Sequence, residues 1–479
     1  MIESSKKIMK MSRSILNFEF DRSVRQQQLD YVRALTKPSA RHPEYRSSEG
    51  RSFLAICHDQ DVDRRILQEI EALSGKGWSG VLVAMSDSVS DEFDTARLSN
   101  GVSVPIHRIG HARIVPDCEA YWAYQRRQSF LSANPILSKL NSRKYQRDLW
   151  RLYKCRAITH PLPFDGAFLG AGSLYPADLI VAHDLTALKA GAELAEKWNA
   201  PLIYDSHEFY PEQVVFSDYQ KSLMRACEAR YLPVCDQIIT VSDSIAKAMA
   251  KNYGLERTPS VITNVTKRPA RNGRKTAAGL RERVEHLGEG HIILYQGGMV
   301  RNRNLETLLA GFLNLARHDA HLVFLGPRDP VYANELSRLA KSSIYGRNVH
   351  MVDAVPQQEL LDVTQTASFG VIPYAPVDLN TRYCMPNKLF EFIQARLPVV
   401  ANEQLEEVSR LVSSNEIGRV GSMSTPREMA DTLQSMLSEN LDRYRSSLVS
   451  AASAFSWEAV EDRFLEIVEE AMCRPTRTS

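Results

Sequence analysis

The chain has 479 residues, of which 44% are hydrophobic and 24% are charged, and its formal net charge is only +2. This length exceeds what a single hydrophobic core usually supports, so two domains are expected. No apolar run approaches the roughly 20 residues of a membrane-spanning helix, and the N-terminal residues lack the apolar core of a secretory signal. The seven cysteines are scattered without a Cys-x-x-Cys pair, which argues against a disulfide framework or a zinc site and favours a reducing cytoplasm.

The first α/β pattern follows a polar, mildly basic stretch, residues 1–50, which we treat as an N-terminal extension. Strands are predicted at 51–57 and 80–85, with a helix over 61–73 between them. After a gap, the predicted strands are 177–182, 201–204, 237–241 and 260–262, and the predicted helices are 185–198 and 244–253. Alternating strands and helices are typical of a parallel α/β sheet, and we place this first domain at residues 51–266.

A segment rich in Arg, Lys and Gly, residues 267–290, is predicted to link this domain to a second α/β series at 291–454. A helix is predicted at 305–315, and the predicted strands are 291–295, 321–325, 349–352, 369–373 and 397–401. An amphipathic pattern predicts a last helix within about 455–473, which we expect to pack back on the first domain.

Polar or glycine residues follow the predicted strands where each strand ends: His183, Asp184, Asp205, His207, Glu208, Gly297 and Gly326. Ligands of open parallel α/β sheets bind at the carboxyl ends of the strands. Two such domains facing a central cleft therefore predict a clamp that closes on a substrate.

The run PNKLFEF, residues 386–392, places a Lys and a Glu three residues apart, so both side chains share one helix face. Pro386 and Asn387 are suited to a helix entry, and a helix N-terminus attracts phosphate. Lys388 could add a cation there, and Glu391 could accept hydrogen bonds from sugar hydroxyls. The plain alternative is a surface Glu–Lys pair.

Structural alternatives exist for other polar positions. His183 could be a hydrogen-bonding residue at a strand end, and the run 205–208 could cap the next helix. Asp59 and Asp61 could face the cleft or form an N-cap. The glycine-rich stretch 166–172 has no strand before it and predicts a loop.

The segment 125–156 holds nine Lys or Arg residues and a single acid, interleaved with aromatic side chains. A basic helix of this kind can lie on an anionic membrane surface. A solvated face, or docking of an acidic polysaccharide, explains the charge equally well. No nucleic-acid-binding motif accompanies the segment, so no nucleic-acid partner is expected.

Eight motifs in order resemble the family 4 glycosyltransferases: ADLIVAHD, PLIYDSHEFYPE, CDQIITVSDSIA, VITNV, ILYQGGMVRNRNLETLLAGF, HLVFLG, GVIPY and PNKLFEFIQARLPVVA. The resemblance runs from about residue 51 to about 467, with a poor match at 110–176. It implies a retaining, nucleotide-sugar-dependent hexosyltransferase of the GT-B fold, with two Rossmann-like parallel α/β domains facing a cleft.

The resemblance implies roles at the reaction centre. His183 would contact the transferred sugar, Arg303 and Lys388 would bind the diphosphate, and Glu391 would bind the ribose. Asn264 would lie at the domain hinge.

The resemblance also implies a wider set of binding residues. The donor-binding set is Gly297, Gly298, Arg301, Gly326, Val355, Asn380, Tyr383 and Asn387. Val355 belongs to the loop 353–356, which would touch the nucleobase. The candidates for orienting acceptor hydroxyls are Asp205, His207, Glu208 and Glu212.

Two positions depart from the pattern of many family members. Gly298 stands where those members carry an Arg, so either Arg301 substitutes or Arg303 acts alone. Tyr383 stands where they carry a first Glu, eight residues before Glu391. A subset of the family resembles this arrangement, with Asn380 upstream.

The chemistry requires stabilisation of a departing nucleoside diphosphate. The second domain shows no Asp-x-Asp pair at a strand end, and two cations with a helix N-terminus can supply the positive charge. We therefore expect no metal and no cofactor besides the nucleotide sugar as co-substrate. The resemblance implies front-face attack, in which the leaving phosphate takes the acceptor proton.

The function expected from this pattern is sugar transfer to a glycan or lipid-linked acceptor in surface-polysaccharide or glycolipid assembly. The expected location is the cytoplasm, with peripheral association at the inner face of the plasma membrane. Two alternatives stay open: a non-catalytic GT-B protein that binds a glycan or partner, which Tyr383 favours, and a nucleotide-sugar epimerase on the same fold.

Overall fold

The computed structural model describes residues 50–88, 90–110, 164–269, 277–284 and 287–473. The basic segment 125–156 and the predicted extension, apart from Gly50, lie outside the described residues. By internal contacts the chain divides into two compact units. The first comprises the described parts of Met1–Tyr204, Ser222–Asp236 and Ala471–Ser479, and the second comprises Asp205–Lys221 and Gln237–Glu470.

The first sheet has eight strands in the order β3-β4-β2-β1-β5-β6-β7-β8. The strands are β1 (Ser52–Ile56), β2 (Ser79–Met85), β3 (Glu92–Arg97), β4 (Ser103–Ile109), β5 (Leu179–His183), β6 (Leu202–Ser206), β7 (Gln237–Thr240) and β8 (Ser260–Val261). β1 lies between β2 and β5, parallel to both, and is buried along its whole length. A continuous apolar run of this kind is typical of a strand covered on both faces.

The helices of the first series are α1 (Arg64–Gly75), α2 (Asp165–Gly172), α3 (Asp184–Trp198), α4 (Asp218–Tyr231) and α5 (Asp243–Tyr253). Side-chain caps define where two of them begin. Asp63 caps α1 by accepting a hydrogen bond from the amide of Arg65, and Ser242 caps α5 by accepting one from Ile245. Asp63, rather than Asp59 or Asp61, is therefore the N-cap of α1.

The second sheet has six parallel strands in the order β11-β10-β9-β12-β13-β14. The strands are β9 (His291–Gln296), β10 (Ala320–Leu325), β11 (Val349–Val352), β12 (Phe369–Ile372), β13 (Val399–Asn402) and β14 (Gly418–Gly421). β9 pairs with β10 on one side and with β12 on the other. The chain reverses its direction of travel across the sheet at this point, and ligands bind at such switch points.

Ten α-helices of the described chain come after β8 in the sequence: α6 (Leu280–Arg283), α7 (Leu305–Asn314), α8 (Pro330–Lys341), α9 (Gln357–Thr364), α10 (Leu379–Tyr383), α11 (Asn387–Gln394), α12 (Glu406–Ser414), α13 (Pro426–Leu437), α14 (Arg445–Ala454) and α15 (Trp457–Met472). No helix among the described residues has the length and apolarity needed to cross a bilayer.

The C-terminal helix α15 is amphipathic, as predicted, and buries Trp457, Phe464, Ile467 and Val468. Its first amide donates to the carbonyl of Thr266 at 3.1 Å. Farther along, Glu470 accepts a hydrogen bond from Gln237 on β7, and Arg463 donates to Ser260 on β8. The domain boundaries drawn from the sequence stay a prediction.

Several elements were not predicted from the sequence. The hairpin of β3 and β4 falls in the predicted gap, because β3 is mostly exposed and shows no regular apolar pattern. The stretch 166–172, predicted as a loop, lies within the helix α2, where Gly172 packs against Leu194 too closely for a side chain. A short helix, α6, lies in the predicted linker.

Candidate functional site

Two glycines bring the loops after β9 and β10 close together. Gly297 has φ +121° and Gly326 has φ +144°, values that favour glycine. A Cβ atom on Gly326 would lie 2.5 Å from the carbonyl oxygen of Gly297, and a Cβ atom on Gly297 would lie 3.0 Å from Nζ of Lys388. Gly298 has neither constraint, since a Cβ atom there would meet only Val300, at 3.9 Å. Gly297 and Gly326 therefore have a steric role that Gly298 lacks.

Lys388 lies in the first turn of α11 and is only 6% exposed. Its Nζ has no hydrogen-bond partner in the described chain. The ammonium instead lies 4.0 Å from the ring centroid of Tyr295 and 4.7 Å from that of Tyr374, as in a cation–π contact. Burial, and next the charge of Arg303, hold the pKa of Lys388 well below its ordinary value, while Glu391 opposes this shift.

The second cation, Arg303, lies shortly before α7 and stacks on Tyr374, one of the two rings that Lys388 contacts. Its guanidinium carbon lies 4.5 Å from the ring centroid of Tyr374, so that ring contacts both cations. Burial raises the pKa of Tyr374 to about 12, with Arg303 opposing the shift, so its phenol stays neutral near pH 7. Tyr374 therefore adds no negative charge between Lys388 and Arg303.

The loop that presents Arg303 has an unusual backbone. Asn302 and Asn304, on either side of Arg303, have φ values of 68° and 59°. Asn is among the few residues that tolerate this left-handed region. The side-chain amide of Asn304 donates to the carbonyls of Pro373, at 2.9 Å, and Met423, at 3.0 Å. These bonds anchor the loop to the end of β12, next to Tyr374.

Glu391 lies one turn after Lys388 on α11 and is 7% exposed. Its Oε2 accepts a hydrogen bond from Nε2 of Gln296, the last residue of β9. Oε1 of Gln296 in turn accepts from the hydroxyl of Thr364, at the end of α9. The predicted sharing of one helix face by Lys388 and Glu391 is confirmed, and the alternative of a surface pair is wrong because both are buried.

The segment after β6 is tied to α10. Asn380 accepts a hydrogen bond from the amide of Phe209 at 2.9 Å, and its own amide donates to Glu208 at 3.2 Å. Asp378 accepts from the amide of Val214. Neighbouring groups desolvate the carboxyl of Glu208 and raise its pKa, although part of its side chain is exposed, and the charge of Arg303 opposes this rise. A predicted acceptor residue thus lies within the electrostatic reach of a predicted donor residue.

The other predicted acceptor residues differ in exposure. Asp205 is fully buried in β6, and its Oδ2 lies 2.7 Å from Nε2 of His207. A direct contact with an acceptor would therefore fall to His207 or Glu208 rather than to Asp205. Glu212 is also buried, and its carbonyl accepts a hydrogen bond from Lys221.

His183 belongs to the first unit, where it is buried at the end of β5 directly before α3. The next residue, Asp184, has φ 61°. Non-glycine residues in this region are uncommon and are enriched at functional sites. Aspartate tolerates this left-handed region, so the chain turns from β5 into α3 without a connecting loop.

The remaining predicted donor residues do not all lie next to Lys388 and Arg303. Arg301 is exposed, bonded to Glu335 at 2.6 Å and stacked on Tyr332, so in this structure it does not join Lys388 and Arg303. The carbonyl of Tyr383 accepts from the Ser242 hydroxyl.

Asn264, the predicted hinge residue, donates to the carbonyl of Met385 at 3.0 Å, and Asn387 is the first residue of α11. Val355 lines a cavity of about 600 Å³ beside β11, together with His350 and Asp353. The roles of these residues stay predictions.

Two family profiles match the sequence. Residues 133–265 match Glycosyltransferase Family 4, and residues 290–439 match Glycosyl transferases group 1. The chain belongs to the family 4, GT-B-like glycosyltransferases. A search of the curated proteins found no match.

Solved structures agree with this glycosyltransferase in fold. Sucrose-phosphate synthase from Thermosynechococcus elongatus has a TM-score of 0.61 and 16% identity, over 88% of this chain and 99% of that one. An α,α-trehalose-phosphate synthase (UDP-forming) from Burkholderia vietnamiensis has a TM-score of 0.59 and 13% identity, over 89% and 100%. A structure described as trehalose-6-phosphate from E. coli bound with UDP-2-fluoro glucose has a TM-score of 0.61 and 11% identity, over 89% and 100%. At these identities the likeness shows the GT-B fold, as the sequence predicted.

Sequence reasoning missed four residues of the candidate site: Tyr295, Gln296, Thr364 and Tyr374. Tyr295 and Tyr374 read as apolar positions at strand ends, and Thr364 as an ordinary helix residue. Only Gln296 carried a signal, because a polar side chain that ends an apolar strand such as β9 requires a buried partner.

Proposed function

We propose that this glycosyltransferase is a retaining, metal-independent enzyme of the hexosyltransferase type. It would move a sugar from a nucleoside diphosphate sugar to a glycan or lipid-linked acceptor, in surface-polysaccharide or glycolipid assembly. The observation that carries the proposal is the ammonium of Lys388, which is buried at a helix N-terminus without a hydrogen-bond partner in the described chain. A bound diphosphate would supply that partner.

Positive charge around Lys388 supports the donor chemistry. Lys388, Arg303 and the first amides of α11 form a preorganised anion site that can stabilise the leaving diphosphate. The names of two structural relatives include UDP or a UDP-sugar, which agrees with a nucleoside diphosphate donor. Because protein cations supply the charge, no metal or further cofactor is part of the proposal.

In the proposed reaction, the bond between the anomeric carbon and the diphosphate oxygen breaks. The acceptor oxygen forms its bond to the same face of that carbon, and its proton passes to the leaving phosphate oxygen. Lys388 and Arg303 would stabilise the negative charge that develops on the diphosphate. His183 would contact the sugar, and His207 and Glu208 would orient the acceptor hydroxyl.

The partners are the nucleotide sugar and the acceptor, and nucleic acid is not among them. We place the protein in the cytoplasm. The basic segment 125–156 is the element we propose for contact with the anionic inner face of the plasma membrane, although it lies outside the described residues.

Nucleotide binding tests the donor site directly. Thermal unfolding of the wild-type protein is measured with UDP, GDP, ADP and CMP, each with excess EDTA and each with Mg²⁺. A ligand at about 100 times its Kd should stabilise the fold by roughly 2.7 kcal/mol, and EDTA should leave the shift unchanged. Loss of the shift in EDTA would refute metal independence, and no shift with any nucleotide would refute the donor site.

Lys388→Met is the informative variant, with Lys341→Met on the exposed end of α8 as its matched control. Lys388→Met should lose nucleotide binding by about 100-fold or more, because a charge-assisted contact to phosphate is removed. Lys341→Met should bind as the wild type does. Unaltered binding by Lys388→Met would show that the anion site is elsewhere.

Product analysis separates the alternatives. A retaining transferase gives a glycoside with the anomeric configuration of its donor, which NMR of the product reports. An epimerase would convert the nucleotide sugar without any acceptor. A non-catalytic protein, which Tyr383 favours, would bind glycan without turnover of any donor.

A further inference from the structure

A row of three buried polar side chains lies behind the proposed nucleotide site. Gln296 is 3% exposed and Thr364 is fully buried, and together with Glu391 they link β9, α9 and α11. Burying polar groups is unfavourable unless each is hydrogen-bonded, and an apolar strand end would avoid that cost. The row therefore has a use other than filling the core.

The directions of the hydrogen bonds follow from the charge of Glu391. An ionised carboxylate only accepts hydrogen bonds, so the NH₂ group of Gln296 faces Glu391. The carbonyl oxygen of Gln296 must then face Thr364, whose single hydroxyl hydrogen it accepts. The Thr364 hydroxyl also lies 2.7 Å from the carbonyl oxygen of Leu360, so the two oxygen acceptors share its one hydrogen. The position of Thr364 at the end of α9 thus sets the orientation of Gln296, and Gln296 sets that of Glu391.

We infer that Gln296 and Thr364 are positioning residues that orient the Glu391 carboxylate toward the ribose hydroxyls of a nucleoside diphosphate. This inference rests on the proposed function. With Oε2 held by Gln296, the carboxyl plane cannot rotate freely, and the direction in which the group accepts further hydrogen bonds is set before the ligand arrives. Such preorganisation increases affinity for a ligand that donates in that direction.

Discrimination between ribonucleotides and deoxyribonucleotides is the property that this arrangement predicts. A site that accepts a hydrogen bond from a ligand hydroxyl disfavours the analogue that lacks this hydroxyl, because that hydrogen bond is lost. The wild-type protein should therefore bind a ribonucleotide about 10- to 100-fold more tightly than its 2′-deoxy or 3′-deoxy analogue.

The test measures Kd by titration calorimetry for UDP, GDP and ADP and for their 2′-deoxy and 3′-deoxy analogues. Gln296→Leu and Thr364→Val each break the row of hydrogen bonds that ends at Glu391, with little change in side-chain volume. Gln394→Leu is the matched control, because this buried glutamine also lies on α11 but donates to the carbonyls of Ala452 and Phe455.

Gln296→Leu should reduce the ratio of the deoxynucleotide Kd to the ribonucleotide Kd to about three or less. The affinity for deoxynucleotides should stay close to that of the wild type. Thr364→Val should lower the preference by a smaller factor, and it serves as the test if Gln296→Leu does not fold. Gln394→Leu should keep the full preference even if its melting temperature falls. A purely structural role would instead weaken both nucleotide classes equally.

The inference is overturned if Gln296→Leu or Thr364→Val keeps the wild-type preference, or if both nucleotide classes weaken in parallel. Either result with normal nucleotide binding by the wild-type protein leaves the proposed function intact. Failure of the wild-type protein to bind any of the ribonucleotides overturns the inference and the proposed donor site together.

Discussion

The ammonium of Lys388 costs free energy in the folded chain, because it leaves water without gaining a hydrogen bond among the described residues. The two tyrosine rings recover only part of that cost, since a cation–π contact contributes about 1–2 kcal/mol. In an enzyme, such a buried charge is typical of a site where a bound ligand supplies the missing hydrogen-bond partner. A phosphate group at the start of α11 would do so, and this single residue is the strongest support for a donor site.

The depressed pKa of Lys388 predicts a pH dependence of stability. In the unfolded chain the amine has its ordinary pKa, about 10.4, whereas burial and Arg303 lower it in the fold. Between the two values the unfolded chain binds a proton that the folded chain has released. The free energy of unfolding should therefore rise with pH up to about 10.4, and below the folded pKa this contribution is flat.

Urea unfolding of the wild type and of Lys388→Met between pH 7 and 10 measures this contribution. The variant should be the more stable at the lower end, and the difference should shrink as pH rises. The exposed-site variant Lys341→Met should follow the wild type at each pH. A difference that stays constant across this range would contradict the depressed pKa.

At the scale of elements, the turn that leaves β9 shapes the site. Gly297 and Gly298 are neighbours of identical chemistry, yet only Gly297 has a positive φ and only its missing Cβ makes room for Lys388. The two positions form a natural matched pair for testing the close approach of the turn to α11.

Gly297→Ala should lower the free energy of unfolding by about 1–3 kcal/mol, because alanine is strained in this backbone region. It should also weaken nucleotide binding at least tenfold by displacing Lys388. Gly298→Ala should change stability by no more than about 0.5 kcal/mol. Equal effects of the two substitutions, in chemical denaturation and nucleotide titration, would argue against this account of the turn.

Element prediction was accurate where the pattern is local. β11 and α15 begin and end where the sequence indicated, since apolar runs and amphipathic periods depend only on neighbouring residues. β3 and β14 were missed because they are short and partly exposed, so their side chains show no apolar signal. α2 was missed because its glycines suggest a loop, whereas Gly172 is in fact required by close packing against Leu194 of α3.

At the scale of the whole molecule, α15 completes a unit that begins more than two hundred residues earlier in the chain. Its buried side chains are Trp457, Phe464, Ile467 and Val468, and its polar contacts reach Gln237 and Ser260. Full burial of one large apolar side chain contributes about 1.5–3 kcal/mol, so four of them match the net stability of an ordinary domain, about 5–15 kcal/mol.

A chain that ends at Ser456 should therefore fail to fold cooperatively. Its near-UV circular dichroism should be weak and its thermal transition broad, and limited proteolysis should cut it rapidly. A chain that ends at Cys473, which keeps α15 whole, should behave as the full-length protein does. A sharp transition in the shorter chain would show that α15 is dispensable.

The sequence by itself determined the two α/β series, the GT-B family and the pairing of Lys388 with Glu391 on one helix face. The two series and the shared helix face follow from periodicity and spacing within short segments. The family follows from the resemblance of the motifs in those segments. Burial of Lys388, the shared ring of Tyr374 and the row from Thr364 to Glu391 were decided only by the tertiary structure. Their residues come from β9, α9, α11 and the loop after β12, and they meet because β12 pairs beside β9 and the loop glycines allow close contact. That strand order is a property of long-range packing, and no local pattern of side chains encodes it.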